Sequence, residues 1–174
     1  MKIGRTLVSA EEIEAKLTEM GAAISKDYAG KDLLLVGILK GAFVVMADLA
    51  RHITIPVEFD FMAVSSYGSA TKSSGVVRTL KDLDQEIDDR HVLLVEDIVD
   101  TGLTLQYLLK NLSVRKPASL SLAALLIKDG VERPPLGVAY EGFRIPPEFV
   151  IGYGLDFEGK YRNLPYVAVV DSID

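Results

Sequence analysis

The sequence predicts an α/β fold in which a mostly parallel sheet is flanked by helices. Three observations carry that expectation. The runs Leu33-Leu34-Leu35-Val36-Gly37-Ile38-Leu39 and Val92-Leu93-Leu94-Val95 have strand length and no polar face, as strands covered on both sides require. Each is followed within a few residues by a stretch whose apolar positions recur at helical spacing. That strand-then-helix order repeats along the chain, which places helices on both faces of one sheet.

The elements follow in order. From Ser9 to about Tyr28, Ser9 and Glu12 form a capping-box pattern and Ile13, Leu17, Met20 and Ile24 recur on one helical face, interrupted by Gly21. Asp32 to Leu39 reads as the first buried strand, Lys40-Gly41 as a turn, and Phe43 to Arg51 as a helix. Val57 to Val64 reads as a strand with Val57, Phe59 and Phe61 on one face and Glu58 and Asp60 on the other. His91 to Glu96 is a second buried strand, followed by a polar loop and a helix from Leu103 to Leu112. Leu120 to Ile127 is another strand, with shorter candidates at Val150-Ile151 and Tyr166 to Val170. Between Ser65 and Gln85 the pattern breaks, and the polar, Gly-containing stretch Ser65 to Gly75 reads as a lid.

Composition narrows the class of function. The 174 residues are 49% apolar and 25% charged, which is the balance of a globular protein, and a chain of this length buries roughly 70% of its unfolded surface without a staple. There is no cysteine, so disulfides, thiol catalysis and cysteine-ligated metals are excluded, in keeping with a reducing cytoplasm. The apolar runs fall short of the roughly 18 residues of a membrane span, and Met1 to Arg5 leads into charged sequence rather than a signal-peptide core. Nineteen basic against twenty-five acidic residues give a net charge of −6, which disfavours nucleic acid and anionic membrane as partners. Any phosphate must therefore be held locally, by backbone amides, a few Lys or Arg, and a divalent cation.

Ligands of such folds sit at the carboxyl ends of the strands. The segment Glu96-Asp97-Ile98-Val99-Asp100-Thr101-Gly102-Leu103-Thr104 puts two adjacent carboxylates at a strand end, a third three residues later, and two hydroxyls where a helix opens. Free amides at that helix start suit a phosphate monoester. The carboxylates upstream suit sugar hydroxyls or a metal-bound polyanion. Helix capping by Asp100 and Thr101 is the plain alternative, yet it gives Glu96 and Asp97 no reason to be there. The Asp100-Thr101-Gly102 triplet also matches aspartic proteases, but those are all-β, and the one-residue spacing of dehalogenase aspartates is absent. The residues themselves describe a phosphosugar site.

With Leu39-Lys40-Gly41-Ala42, Ser65-Ser66-Tyr67-Gly68, Lys128, Gly142 to Pro146, Phe149 to Asp156 and Tyr161 to Tyr166, that segment resembles the type I phosphoribosyltransferases over nearly the whole chain. The Gly152-Tyr153-Gly154-Leu155-Asp156 and Tyr161-Arg162-Asn163-Leu164-Pro165 segments resemble the hypoxanthine-guanine branch. The resemblance implies one domain over 1–174, with a small hood built partly from the C-terminal segment. It implies purine salvage: transfer of the phosphoribosyl group of 5-phosphoribosyl-1-diphosphate to N9 of hypoxanthine or guanine, with Mg²⁺. A nucleotide-sensing regulatory protein on the same fold, or a transferase for another base, are the alternatives.

Carried over by position, the resemblance gives Glu96 and Asp97 the ribose hydroxyls, and Asp100, Thr101, Gly102, Leu103 and Thr104 the 5′-phosphate. Lys40 and Gly41 would contact pyrophosphate, in a loop where the family carries a cis peptide, and Arg162 would neutralise the leaving group. Asp100 would exchange a proton with purine N7. Lys128 would donate to the 6-oxo group, Phe149 would stack on the ring, and the backbone of Val150 and Asp156 would accept from its N–H groups. Glu96, Asp97 and Asp156 would serve the metal, Asp156 through water, while Ser66 and Tyr67 would belong to the lid. After Lys128 this chain departs from the family pattern, with Asp129-Gly130-Val131-Glu132 before a single Arg133, so a pyrophosphate contact is not carried over to Arg133. The resemblance also implies a cytoplasmic homodimer or homotetramer.

Overall fold

A computed structural model describes residues 1–66 and 77–172. Ser9 caps the first helix, α1 (Ala10–Asp27): its side chain accepts from the Glu12 amide at 3.1 Å, and the Glu12 carboxylate accepts from the Ser9 amide at 2.8 Å. Gly21 inside that helix has a packing reason. A Cβ there would lie 2.6 Å from the His52 carbonyl oxygen, so the glycine lets α1 close onto the end of α2 (Ala42–Arg51).

The main sheet has six strands in the order β4-β3-β2-β5-β6-β7. These are β2 (Leu33–Leu39), β3 (Val57–Ser66), β4 (Val77–Lys81), β5 (His91–Val99), β6 (Ser119–Lys128) and β7 (Val138–Ile145). All neighbours are parallel except β4, which returns antiparallel along β3. A second, antiparallel sheet joins both ends of the chain, in the order β1-β9-β8, with β1 (Lys2–Val8), β8 (Val150–Ile151) and β9 (Val167–Ser172).

The period of two within the buried strands sorts the core onto two faces. Leu33, Leu35 and Leu93 meet Ile13, Leu17 and Ile24 of α1, Val45 and Leu49 of α2, and Val167 and Val169 of the small sheet. Leu34, Val36, Val92, Leu94 and Leu122 meet Leu105, Leu108 and Leu112 of α3 (Leu103–Ser113).

Several expectations need correction. The strand expected to stop at Glu96 runs to Val99, so Glu96 and Asp97 lie within β5, paired with β6 as far as Val99↔Ile127. The faces of β3 alternate as expected, but burial does not follow residue type. Phe59 is 50% exposed, whereas Asp60 is 3% exposed, because the segment after β4 folds across that face. The Asp60 carboxylate accepts from the Phe61, Asp84 and Gln85 amides at 2.7–3.1 Å, which offsets its desolvation. The stretch from Ser65 to Gln85 is not structureless throughout, since it contains β4. Ser65 and Ser66 close β3, and the lid positions from Tyr67 to Gly75 lie outside the described residues. Among the described residues no helix is long and apolar enough to cross a membrane.

Candidate active site

The strand order reverses between β2 and β5: the chain moves outward through β3 and β4, then returns to the other side of β2. Such a switch point leaves a crevice at the carboxyl ends of the two strands. Lys40 and Gly41 follow β2, and the peptide joining Leu39 to Lys40 is cis. Opposite them, within the last four residues of β5, stand Glu96 and Asp97.

Glycine is required where the two strand ends meet. A Cβ on Gly41 would overlap Oδ2 of Asp97, so the carboxylate lies directly against the backbone of the turn. On the other side of the turn, a Cβ on Gly154 would overlap the Gly41 carbonyl oxygen, and Gly154 has φ +96°, a conformation that glycine adopts freely. The next layer is Arg162, which donates to the Gly154 carbonyl at 2.6 Å and pairs with Asp156 at 2.9 Å. Asp156 also accepts from the Gly159 amide at 2.7 Å. Asp97, Gly41, Gly154 and Arg162 thus form one continuous stack that joins the main sheet to the loop after β8.

Glu96 and Asp97 share little water. Burial, reinforced by the neighbouring Asp97 carboxylate, holds Glu96 well above the ordinary carboxylate range. Each carboxylate accepts from the amide next along the chain, Glu96 from Asp97 at 3.0 Å and Asp97 from Ile98 at 2.7 Å.

Asp100, Thr101 and Gly102 make the turn into α3. Gly102 is the N-cap, with φ +73° and no side-chain cap, so among the described residues no side chain caps the first amides of α3. Capping by Asp100 or Thr101 is therefore not the reason for these residues. The Asp100 carboxylate is directed instead to Lys128, whose Nζ donates to Oδ2 at 2.9 Å. Lys128 is the last residue of β6, and its side chain is mostly enclosed.

A cavity of about 210 Å³ gathers Asp97, Asp100, Lys128, Phe149, Val150, Asp156 and Arg162, with Ile98 and Leu155 completing its wall. Phe149 is 47% exposed and is held edge-on by Phe157, with ring centroids 6.0 Å apart at 89°. Among the described residues no cluster of three or more His, Cys, Asp or Glu side chains could hold a metal ion. Glu96, Asp97 and Asp156 therefore do not form a cage of their own. Carboxylates that close no cage fit only a hydrated divalent cation whose remaining ligands come from a bound polyanion.

The model of the Phosphoribosyl transferase domain matches residues 5–158. This chain belongs to the phosphoribosyltransferase family. It is 51% identical to the hypoxanthine-guanine phosphoribosyltransferase of Mycobacterium avium, over 97% of this chain and 86% of that one. It is 45% identical to the Bacillus subtilis protein of the same name, over 97% and 93%. Among solved structures, a hypoxanthine phosphoribosyltransferase from Staphylococcus aureus superposes with a TM-score of 0.93 at 43% identity, over 97% of this chain and 91% of that one. A hypoxanthine-guanine phosphoribosyltransferase from Bacillus anthracis gives 0.93 and 43%, over 97% and 99%. The fold is that of the type I phosphoribosyltransferases.

Two parts of the site escaped the sequence reading. Sequence pattern assigns Arg133 no role, yet it donates to the main-chain carbonyls of both Asp100, at 2.9 Å, and Lys128. Tyr153, with φ +50°, joins its hydroxyl to Asp48 of α2 and so anchors the Gly152-Tyr153-Gly154 turn. Burial and that carboxylate both push the Tyr153 hydroxyl above its ordinary pKa, so it remains a donor.

Proposed function

We propose that this protein transfers the 5-phosphoribosyl group from 5-phosphoribosyl-1-diphosphate to N9 of hypoxanthine or guanine, releasing pyrophosphate and giving IMP or GMP for purine salvage. The observation that supports the reading is the shared cavity, whose lining brings Lys128, Asp100, Phe149 and the Asp156–Arg162 pair together. A 6-oxopurine stacked on Phe149 presents its O6 to the Lys128 ammonium, and N7 beside it to Asp100. The backbone of Val150 and Asp156 accepts from the ring N–H groups.

On the sugar side, Glu96 and Asp97 accept from the ribose hydroxyls. The 5′-phosphate takes the free amides of the turn from Asp100 through Thr101, Gly102 and Leu103 to Thr104. Lys40 and the Gly41 amide receive the pyrophosphate, and Arg162 neutralises it as it leaves. Asp156, through water, and the Glu96–Asp97 pair would serve a magnesium ion, which would supply charge neutralisation for the diphosphate. Catalysis rests on pre-placed charge and exclusion of water around a sugar C1 that becomes oxocarbenium-like. Ser66 and Tyr67 supply that exclusion as part of the lid.

The whole chain acts as one domain, with the β1-β9-β8 sheet and the loop after β8 as its hood. It works in the cytoplasm as a homodimer or homotetramer. A spectrophotometric assay with hypoxanthine, guanine, xanthine or adenine, phosphoribosyl-pyrophosphate and magnesium tests the activity, and sizing by light scattering tests the assembly. Nucleotide should form with hypoxanthine or guanine and stop in excess chelator. No turnover with any 6-oxopurine would refute the reading.

A further inference from the structure

We propose that Arg133 is a positioning residue of the base pocket, which fixes Lys128 relative to Asp100 by bridging the main chain behind both of them. The proposal rests on the base-pocket reading of these two residues. Its geometry begins where the sheet stops. The last ladder pair between β5 and β6 is Val99↔Ile127, so Asp100 and Lys128 are the first residues that no strand pairing between β5 and β6 holds at a fixed separation. Arg133 takes over at that point: its guanidinium donates to the Asp100 carbonyl at 2.9 Å and to the Lys128 carbonyl. A planar fork of several donors can span two diverging carbonyls, which the single ammonium of a lysine does less well.

The segment that carries Arg133 suits the task. It is the short connection from β6 to the parallel β7, residues 129–137, bounded by Gly130 at φ +70° and Gly137 at φ +63° and stiffened by Pro134-Pro135. Two residues beyond the prolines' start, Leu136 closes on the same turn from another side. A Cβ on Gly102 would lie 2.8 Å from its Cδ1. The connection thus grips the turn at Gly102 through Leu136, and grips the Asp100–Lys128 gap through Arg133. Removal of the guanidinium leaves the first contact in place, so the turn at Gly102 is retained while the main chains of Asp100 and Lys128 lose their bridge and the side-chain pair alone sets their separation.

The test measures hypoxanthine and phosphoribosyl-pyrophosphate kinetics, the hypoxanthine-over-adenine ratio and the melting temperature for Arg133→Met and Arg133→Lys, each in the parent and in Lys128→Met. A misplacement of about 1 Å costs on the order of 100-fold. Arg133→Met should therefore lower kcat/KM for hypoxanthine by about 10- to 100-fold and reduce the hypoxanthine-over-adenine ratio. The KM for phosphoribosyl-pyrophosphate should stay within about threefold of the parent. Arg133→Lys, which keeps one bridge, should recover part of the loss, and it carries the test if the methionine variant does not fold. In the Lys128→Met background the Arg133 substitutions should add less than about threefold, since residues acting through one another are not additive. Full additivity, or a KM for phosphoribosyl-pyrophosphate that rises in step, would overturn the positioning role alone. A Lys128→Met variant with parental kinetics would overturn the base-pocket reading and the positioning role with it.

Discussion

Lys128 and Asp100 hold one another, Nζ to Oδ2, at 2.9 Å. O6 and N7 lie side by side on one edge of a 6-oxopurine, so an ammonium and a carboxylate at hydrogen-bond distance from each other match that edge. The pairing also keeps each side chain in place from strands that part company after Val99↔Ile127.

The first prediction isolates the proton. Asp100→Asn retains an oxygen for Lys128 and the shape of the turn, so the pair survives and proton exchange is lost. Turnover should fall by about 10²–10⁴-fold, the usual range of a general acid/base group, with a much smaller rise in KM for phosphoribosyl-pyrophosphate. Steady-state kinetics on both substrates decide it. A variant within about threefold of the parent turnover would remove Asp100 from the transition state.

Glu96 makes stability depend on pH in a definite direction. Burial raises its folded-state pKa above the unfolded value, so between the two the folded chain binds more protons and stability falls as pH rises. Glu96→Gln removes that contribution. The melting temperature of the variant relative to the parent should therefore climb as pH increases from about 4.5, the unfolded carboxyl range; above the raised folded-state pKa, where Glu96 is an anion, the variant should also use phosphoribosyl-pyrophosphate less well, because an amide accepts from ribose hydroxyls less well than a carboxylate. Differential scanning calorimetry across pH checks the first part. A difference that stays flat with pH would mean Glu96 is ionised in both states.

Gly154 is predicted to be irreplaceable for two separate reasons. Its φ of +96° strains any L side chain, and a Cβ would overlap the Gly41 carbonyl. Gly154→Ala should lose about 1–3 kcal/mol of stability from the backbone alone and should raise the KM for phosphoribosyl-pyrophosphate by displacing the Lys40-Gly41 turn. Melting and kinetics are measured on the same preparation. Parental values in both would show that the stack from Asp97 to Arg162 tolerates an extra carbon.

The legible part of this molecule was the part whose burial is uniform. β2 and β5 are apolar on both faces, and α1 announces itself through Ser9, Glu12 and a four-residue apolar rhythm. Of the strands with mixed faces β3 was legible, whereas β1, β4 and β7 were hidden. β1, Lys2-Ile3-Gly4-Arg5-Thr6-Leu7-Val8, exposes most of its length, and its meaning lies in pairing with β9 some 160 residues on, which local pattern cannot encode. The burial of Asp60 was not legible, because nothing nearby in sequence shows that the amides of Asp84 and Gln85 return to cover it. Within the site, the residues that project from strand ends were recognisable by type and order. Arg133 was not, because its partners are carbonyl oxygens, which every residue has and no sequence displays.

The last prediction concerns the choice of base, and it follows from the donor inventory of Lys128. An ammonium has three donors and no acceptor, so it rewards an oxygen at purine position 6 and leaves the amino group of adenine facing like polarity. The enclosure of Lys128 sharpens this, because with its side chain only 14% exposed little water is at hand to satisfy a mismatched pair. Sites built on such a bond discriminate by as much as about 10⁴–10⁵. Hypoxanthine and guanine should both be used, and adenine should be a very poor substrate. Lys128→Met keeps the length of the stem and removes the donors, so it should depress use of both 6-oxopurines. The KM for phosphoribosyl-pyrophosphate should change little, since Lys40, Gly41, Arg162 and the turn into α3 remain. Asp100 loses its partner in this variant, so turnover should fall together with affinity for the base, not affinity alone. Competition between adenine and hypoxanthine in one reaction, read as the ratio of nucleotides formed, measures the discrimination directly. Equal use of adenine by the parent, or an unchanged rate with hypoxanthine in the methionine variant, would place the base elsewhere in the crevice.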